Sequence, residues 1–491
     1  MMDPGIAGAS DLLRQAKEIF QHDAAALEVV NELEGRLEGP LRIAVAGMVK
    51  AGKSTLLNAI IGEEIAPTDA GECTRIVTWY RYGHTPRITL HPILGEPQAL
   101  PVTRKDGRLV FNLGDVRAED VERLVVDWPA ASLRDLTLID TPGIASLSQD
   151  VSERSTEFLL PEDAPMAADA VIYLMRHLHA SDVRFLESFK DTAAGQSGTV
   201  NALAVLSRAD EIGAGRIDSL ISAAVIADRY SRDQNLRPLA LGVVPVAGLL
   251  AQSSRTMRQT DFEAMKVLAR MDRNQRERLM LSADLFVRAT GPAGLGQDAK
   301  ASLVQKFGLF GIRLGVALIR GGISNPTELA HELARRSGLG QLLDNIASLF
   351  QTRADALKAR AAVVGLEALL RGSPRDVALL LEANLERLKA GAHEFRELKL
   401  LATLRTEGLG LTPELSAEAE RLVGGRGSTP PLRLGLDPAA TLEQISETAR
   451  SHLNRWRVIA ENPLTEPAAL DACRIVLRSC EGMLAAIPAV R

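Results

Sequence analysis

The 491-residue sequence predicts an α/β domain with a mainly parallel sheet, followed by an all-α half that reads as a helical stalk or bundle. Three observations predict it. The apolar run Arg42–Gly47 passes through a glycine loop into the helical run Thr55–Ile61, the strand–loop–helix grammar of a βα unit. Strand-like runs rich in β-branched and aromatic residues then alternate with helical stretches, at Ile76–Tyr82, Arg87–His91, Leu124–Trp128, Leu136–Asp140, Ala170–Met175, Ala202–Leu206 and Leu241–Val246, which is the pattern of a parallel sheet. From about Ala251 the strand signals cease.

In chain order, residues 10–38 read as one amphipathic helix, capped by Ser10 and closed at Gly39-Pro40, with Leu13, Ala16, Phe20, Leu27, Val30 and Leu37 on one stripe. Ile76–His91 is expected as an antiparallel hairpin at one edge of the sheet. In the second half, Gly372-Ser373-Pro374, Thr412-Pro413 and Asp437-Pro438 punctuate helices near 340–371, 374–406, 412–424, 438–461 and 466–487. The stripe Leu470, Cys473, Leu477, Cys480, Leu484 and Ile487 predicts a helix–helix seam holding two of the three cysteines. Residues 424–436 read as a flexible loop. The expected division is 1–39 as an N-terminal helix, 40–338 as the α/β domain with a helical segment at 251–338, and 339–491 as the helical half.

Composition narrows the function classes. Lys and Arg number 57 against 62 Asp and Glu, for a net charge of -5, and aromatics are 4%. Neither a global positive field nor a stacking surface for nucleic acid is present. Three cysteines make no disulfide framework, no leader is read at the N-terminus, and Phe307–Ile319, the most apolar helical run, is interrupted by Arg313. A cytoplasmic location is expected, with any membrane contact peripheral.

The chemistry is concentrated in Gly47-Met48-Val49-Lys50-Ala51-Gly52-Lys53-Ser54, which fits G-x-x-x-x-G-K-[ST] between a strand and a helix. Backbone N–H groups from Gly47 to Thr55, including those of Ala51 and Gly52, would curl around phosphates, Lys53 would reach the β/γ-phosphates and Ser54 would ligate Mg²⁺. Asp140-Thr141-Pro142-Gly143 closes a later strand, where Asp140 would hold the Mg²⁺ shell and the Gly143 N–H would sense the γ-phosphate. Thr74 stands where a switch loop offers a hydroxyl to the metal. Ser207-Arg208-Ala209-Asp210 is an imperfect [NT]-K-x-D element. The Asp210 carboxylate would accept two hydrogen bonds from guanine, and Arg208 would stack on it. Ala247-Gly248 would allow close approach to the base edge.

This order of motifs resembles the bacterial dynamin-like GTPases, and within them the IniC branch of the actinobacterial isoniazid-inducible IniA/IniC proteins. Ile43–Leu57, Ile65–Tyr80 and Leu136–Ile144 carry the resemblance. It implies GTP as substrate, Mg²⁺ handled by Ser54, Thr74 and Asp140, and an N-terminal helix packing with C-terminal helices as a neck. It also implies GTPase domains that pair face to face with a second copy or a paralogue, and a stalk that meets lipid on the inner face of the cell membrane. Two positions depart from the family. Dynamins often place a polar residue at the third P-loop position to hold the attacking water and a small hydroxylated residue after it, where this chain has Val49 and Lys50. Val49 has no group to orient water. Lys50 either points its charge at the β/γ-bridge or faces solvent. The motifs therefore leave two functions open, a membrane-remodelling or membrane-repairing GTPase and a GTP-binding helper subunit with weak hydrolysis. Competition between GTP and ATP tests a third, P-loop ATPase reading. For lipid contact the sequence offers two places, the 424–436 loop with Leu432, Leu434 and Leu436 beside Arg426 and Arg433, and the Gly408–Leu411 turn.

Overall fold

The computed structural model describes residues 4–67, 76–105, 108–142, 167–188, 200–289, 295–406 and 409–487. Its strands are β1 (Leu41–Gly47), β2 (Val77–Tyr82), β3 (Arg87–Pro92), β4 (Gln98–Leu100), β5 (Thr103–Lys105), β6 (Arg108–Val110), β7 (Val121–Trp128), β8 (Leu136–Asp140), β9 (Ala170–Met175), β10 (Ala202–Ser207) and β11 (Val243–Val246). Nine of them form one sheet in the order β11-β10-β9-β1-β8-β2-β7-β3-β4. The run from β11 to β8 is parallel. Every residue of β9 and β10 is buried, as expected for strands covered on both faces.

The antiparallel part is real, but its pairing differs from the expected hairpin. β2 pairs antiparallel with β8 and parallel with β7, and β3 pairs antiparallel with β7. β7 therefore lies between the two strands expected to be partners. The chain leaves β2 through Gly83, whose N–H donates to Trp128 O at 3.1 Å across the end of β7, so the turn is fixed by a strand about 40 residues downstream.

The helices in the first half of the chain are α1 (Pro4–Ile19), α2 (Ala24–Glu38), α3 (Lys53–Ile61), α4 (Ala180–Ser188), α5 (Ser219–Ser231), α6 (Gly248–Arg255), α7 (Gln259–Ala269), α8 (Arg273–Leu279), α9 (Ala283–Arg288) and α10 (Gln297–Arg320). The expected single helix over 10–38 is two helices. Asp23 caps α2 by accepting from Ala26 N at 3.0 Å, and the break lets α1 and α2 fold on each other, joined by the Lys17–Glu34 ion pair. Leu13, Ala16, Val30 and Leu33 then share one core with helices from the far end of the chain. α10 is long and apolar enough to cross a membrane. Here Leu303, Phe307, Phe310 and Leu314 are buried with Phe262, Met265 and Phe286, and Arg313 donates to Gly215 O and Met280 O, so α10 is a core helix.

The remaining helices are α11 (Pro326–Arg336), α12 (Leu339–Asn345), α13 (Ala354–Arg371), α14 (Arg375–Gly391), α15 (His393–Thr406), α16 (Pro413–Leu422), α17 (Pro430–Leu434), α18 (Leu442–Glu461) and α19 (Pro467–Ala485). The expected 374–406 rod breaks at Ala392, whose ψ of 117 ends α14 and whose methyl is buried. α1 and α2 pack on α13 and α14 through Ala359, Ala362, Leu366 and Leu381. α15, α16, α18 and α19 fold against the sheet side of the molecule, and one buried cluster runs from Leu136 and Leu138 through Leu342 and Phe350 to Leu401, Trp456 and Cys480. Arg405 fastens the join by donating to Arg237 O at 3.0 Å and Ala240 O at 2.6 Å, while Glu420 pairs with both Arg405 and Arg237.

Cys473 and Cys480 are fully buried, but α19 is turned from the expected seam. Ala469, Ala472, Val476 and Met483 are buried, whereas Leu470, Leu477 and Leu484 are only partly so. Small residues at the contact let α18 approach closely with Ala449 and Trp456.

The 424–436 segment is not a solvated loop. Its Pro430–Leu434 stretch is one helical turn with Leu434 buried, and Arg433 donates to Leu422 O at 2.6 Å and pairs with Glu397. Leu409 and Leu411, in the second expected lipid site, pack partly buried on the same core.

Glu397 on α15 is the hub of this region. It also accepts from Ser479 and lies 3.3 Å from His393 Nε2. Burial alone would raise its pKa, but the Arg433 guanidinium with the His393 and Ser479 contacts outweighs that and holds it at about 2. A depressed acid stabilises the fold fully above its ordinary 4.5, and that contribution is lost as pH falls towards 2. Removing one partner of a buried pair leaves the other charge unmatched, so Glu397→Ala should cost about 3–5 kcal/mol by denaturant unfolding at neutral pH. The variant should also show a shallower loss of stability than the wild type between pH 4.5 and 2.

Candidate nucleotide site

The site lies at the C-terminal ends of β1, β8 and β10, where the parallel part of the sheet opens towards α3. Registration places Val45 of β1 beside Asp140 of β8, and the Thr141 hydroxyl pins the turn after β8 by donating to Val45 O at 3.0 Å. Gly47 ends β1 with φ +149, and a side chain there would run into Leu174 O; Gly52, at φ +96, opens α3. Both conformations suit glycine. Between them Lys50 has φ 64 and Ala51 N donates to Met48 O at 3.1 Å, closing the glycine loop.

Lys53 Nζ donates to Gly47 O at 3.1 Å and Met48 O at 3.5 Å. Ser54 Oγ lies 3.3 Å from Asp140 Oδ2. Burial pushes Asp140 up to about 6, against the opposing pull of Lys53 and the Ser54 hydrogen bond. Burial also lowers the Lys53 pKa, and Asp140 opposes it. A lysine, a hydroxyl and a carboxylate thus share one desolvated corner beside a helix N-terminus, an arrangement suited to phosphate with a hard cation.

Alongside it is a pocket of about 200 Å³ lined by Ala51, Gly52, Thr55, Ser207, Arg208 and Asp210, and closed by Leu174, Val246, Gly248 and Leu249. The structure therefore brings the P-loop and the Ser207–Asp210 element to one cavity. Burial raises the Asp210 pKa, which marks a carboxyl with little water around it. Arg208 has φ 52 and spans the cavity mouth, donating to Lys50 O at 3.0 Å and to Glu211 at 2.7 Å. This bond links the Ser207–Asp210 loop to the glycine loop directly.

Other expected residues sit differently. Ser207 Oγ donates to Met175 O at 3.2 Å and is buried, which ties β10 to β9. Ala247 is buried away from the pocket and its N–H donates to Ser337 O at 2.8 Å; its neighbours Val246 and Gly248 take the place expected for it. The Lys50 side chain is exposed, and Val49 is 43% exposed. Thr74 and Gly143 lie outside the described residues. Sequence reasoning missed Glu211, which bridges Arg208 and Arg176 at 2.7 Å each. The one available signal was an acidic residue immediately after Asp210 and facing two arginines that only the fold brings together.

The Dynamin family profile matches residues 43–196. The isoniazid-induced protein IniC of Mycobacterium tuberculosis is 42% identical over 462 residues, 94% of this chain and 93% of that protein. IniA of the same organism is 33% identical over 140 residues, 27% of this chain and 20% of that one. A bacterial dynamin-like protein of Nostoc punctiforme is 32% identical over 118 residues, 22% and 17% of the two chains. A solved structure of an oligomerised bacterial dynamin pair aligns with 80% of each chain at 14% identity and a TM-score of 0.31.

Asp210→Ala should weaken GTP binding at least about 100-fold, because two hydrogen bonds to a charged acceptor are worth roughly 1.5–3 kcal/mol each. Titration with a fluorescent guanine nucleotide measures this, and equal loss of ATP binding would remove Asp210 from base recognition.

Proposed function

This chain belongs to the IniC family of dynamin-like proteins, and on that premise we propose that it binds GTP with Mg²⁺, hydrolyses it, and couples nucleotide state to self-association and to remodelling or repair of a membrane met peripherally from the cytoplasmic side. The observation that carries this reading is the cavity that joins Ala51, Gly52 and Thr55 of the glycine loop and α3 to Arg208 and Asp210, alongside the Ser54–Asp140 contact. Lys53 exchanges its bonds to the Gly47 and Met48 carbonyls for the β/γ-phosphate oxygens. The P-loop N–H groups and the start of α3 hold the phosphates, and Asp210 with Arg208 holds the base.

The Ser54 hydroxyl and Asp140 carboxylate, 3.3 Å apart, fit Mg²⁺, which prefers hard oxygen donors. When bound, the ion supplies charge neutralisation at the β- and γ-oxygens. Asp140 is ionised above about pH 6 and so presents its carboxylate at cytoplasmic pH. Water is the nucleophile, and the release of γ-phosphate is what the switch segments around Thr74 and Gly143 would sense.

Val49 favours a second reading. A half-exposed valine at the third P-loop position contributes no hydrogen bond to the attacking water, which supports a helper subunit of low turnover that pairs with a paralogous dynamin-like chain. For lipid contact, Arg433 and Leu434 of the 424–436 segment are committed to the core and do not offer the expected insertion. The support that remains is the turn between α18 and α19, where Leu464 is 89% exposed.

Steady-state GTP turnover with and without anionic liposomes separates the two readings. Lipid-stimulated hydrolysis, abolished by Lys53→Ala and blunted by Leu464→Asp, is the expected result; turnover indifferent to lipid supports the helper subunit. In the same assay, Lys50→Ala should lower kcat at least about tenfold if its charge reaches the β/γ-bridge, and unchanged turnover assigns Lys50 to solvent.

A further inference from the structure

Among the described residues, three that are not glycine have a left-handed backbone, and two of them, Lys50 at φ 64 and Arg208 at φ 52, are hydrogen-bonded to each other. The bond runs from the Arg208 guanidinium to Lys50 O at 3.0 Å across the mouth of the nucleotide cavity. A residue with a side chain keeps this conformation where its surroundings over-determine it, and such residues gather at sites that bind or switch. For Arg208 the surroundings are supplied by Glu211. One terminal nitrogen of the guanidinium goes to Lys50 O and the other to Glu211 Oε1 at 2.7 Å. The second carboxylate oxygen, Oε2, accepts from Arg176 at the end of β9, also at 2.7 Å. Ser207 Oγ ties the start of the same loop to Met175 O at 3.2 Å. The loop that carries Arg208 is thus fastened to the end of β9 on either side of it.

Glu211 is an unfavourable residue for this place unless it acts through Arg208. It lines the cavity beside Asp210, where its charge opposes the entry of a polyanion. Burial raises the Asp210 pKa most, Glu211 adds to that and Arg208 opposes it. What the carboxylate contributes is geometry. A lysine ammonium would be a point donor on a flexible stem, whereas the planar guanidinium of Arg208 presents two arms at a fixed angle and needs an acceptor for each. Lys50 O is one acceptor and Glu211 is the other.

We propose that Glu211 is a positioning residue for nucleotide binding: it holds the Arg208 guanidinium across the cavity mouth, so that Arg208 lies over the base and grips the glycine loop through Lys50 O. The inference rests on the GTP reading above and adds to it the residue that lets an arginine serve where the [NT]-K-x-D element has lysine. The sign of the effect separates positioning from a simple charge effect. Removing a negative charge from the rim would by field alone tighten a polyanion, whereas releasing Arg208 loosens it.

Titration of the full chain with fluorescent GDP and Mg²⁺ tests it. Glu211→Ala should raise the Kd about three- to tenfold, the scale of two partly exposed ion pairs. The ratio of the variant's Kd to that of the wild type should fall towards one at about 0.5 M salt, where such pairs are screened. Arg208→Ala should also weaken binding, and the double variant R208A/E211A should match Arg208→Ala within about twofold, because Glu211 then has nothing to position. Unchanged or tighter binding by Glu211→Ala overturns the proposal. So does a double variant weaker than Arg208→Ala by the full Glu211→Ala factor, or a Kd ratio that salt does not move. A wild type that takes up no GDP overturns the GTP reading and this proposal together, whereas a wild type and Glu211→Ala of equal affinity leave the GTP reading standing and remove only Glu211.

Discussion

The half-buried corner formed by Lys53, Ser54 and Asp140 is the constraint around which the rest of the molecule is arranged. Desolvation pushes Asp140 up to about 6 although a lysine and a hydroxyl oppose it, so the carboxylate is held where it pays an energetic penalty that a cation relieves. That position requires Asp140 to end β8 beside Val45 of β1, and Thr141 enforces it by clasping Val45 O. It also requires Gly47, because a side chain there would strike Leu174 O on β9. The parallel pairing of β8, β1 and β9 is thus the framework for one ionic cluster, and the antiparallel strands beyond β8 complete the sheet without entering the site.

What was legible in the sequence was what local chemistry dictates. Spacing picks out the glycine loop, its lysine and hydroxyl, and the Asp140 and Asp210 strand ends; the fold sets Ser54 beside Asp140 and brings Ala51, Gly52 and Asp210 to one cavity. What was not legible depended on distant partners. The strand β7 enters between β2 and β3 because Gly83 bonds to Trp128, and no periodicity near residue 83 encodes that. Helix lengths were overestimated at Phe20–Asp23 and at Ala392 for a related reason. An apolar stripe continues across a break when both arms are buried against the same neighbours, as Phe20 and Val30 are.

The 424–436 segment shows the same limit in a sharper form. Leucines alternating with arginine are consistent with an exposed loop that meets lipid, or with a single helical turn that buries Leu434 while its arginine satisfies a buried glutamate. Burying Glu397 without Arg433 would leave a charge in a nonpolar core, and that requirement comes from α15 and α19, not from the segment itself. Ser207 lines the cavity, and its hydroxyl also serves the neighbouring strand by donating to Met175 O, a bond that the local sequence does not encode.

One of the joins between the helical half and the nucleotide cavity runs through a strand. β11 ends at Val246, which lines the pocket, and it is gripped at both ends by helices from the second half of the chain. Upstream of it, Arg405 of α15 holds the carbonyls of Arg237 and Ala240. Downstream, Ala247 N donates to Ser337 O, and Gly338 passes so close to Pro245 O that a side chain there would collide with it. Gly338 is also the N-cap of α12, which leads through Ile346–Phe350 into α13 and so to the core shared with α1 and α2. A shift of β11 on nucleotide binding would have to break the Arg405 contacts or carry the Ser337–Gly338 junction with it, because neither end has room to slide. β11 is thus tied to the helical half by backbone hydrogen bonds and close packing at both of its ends.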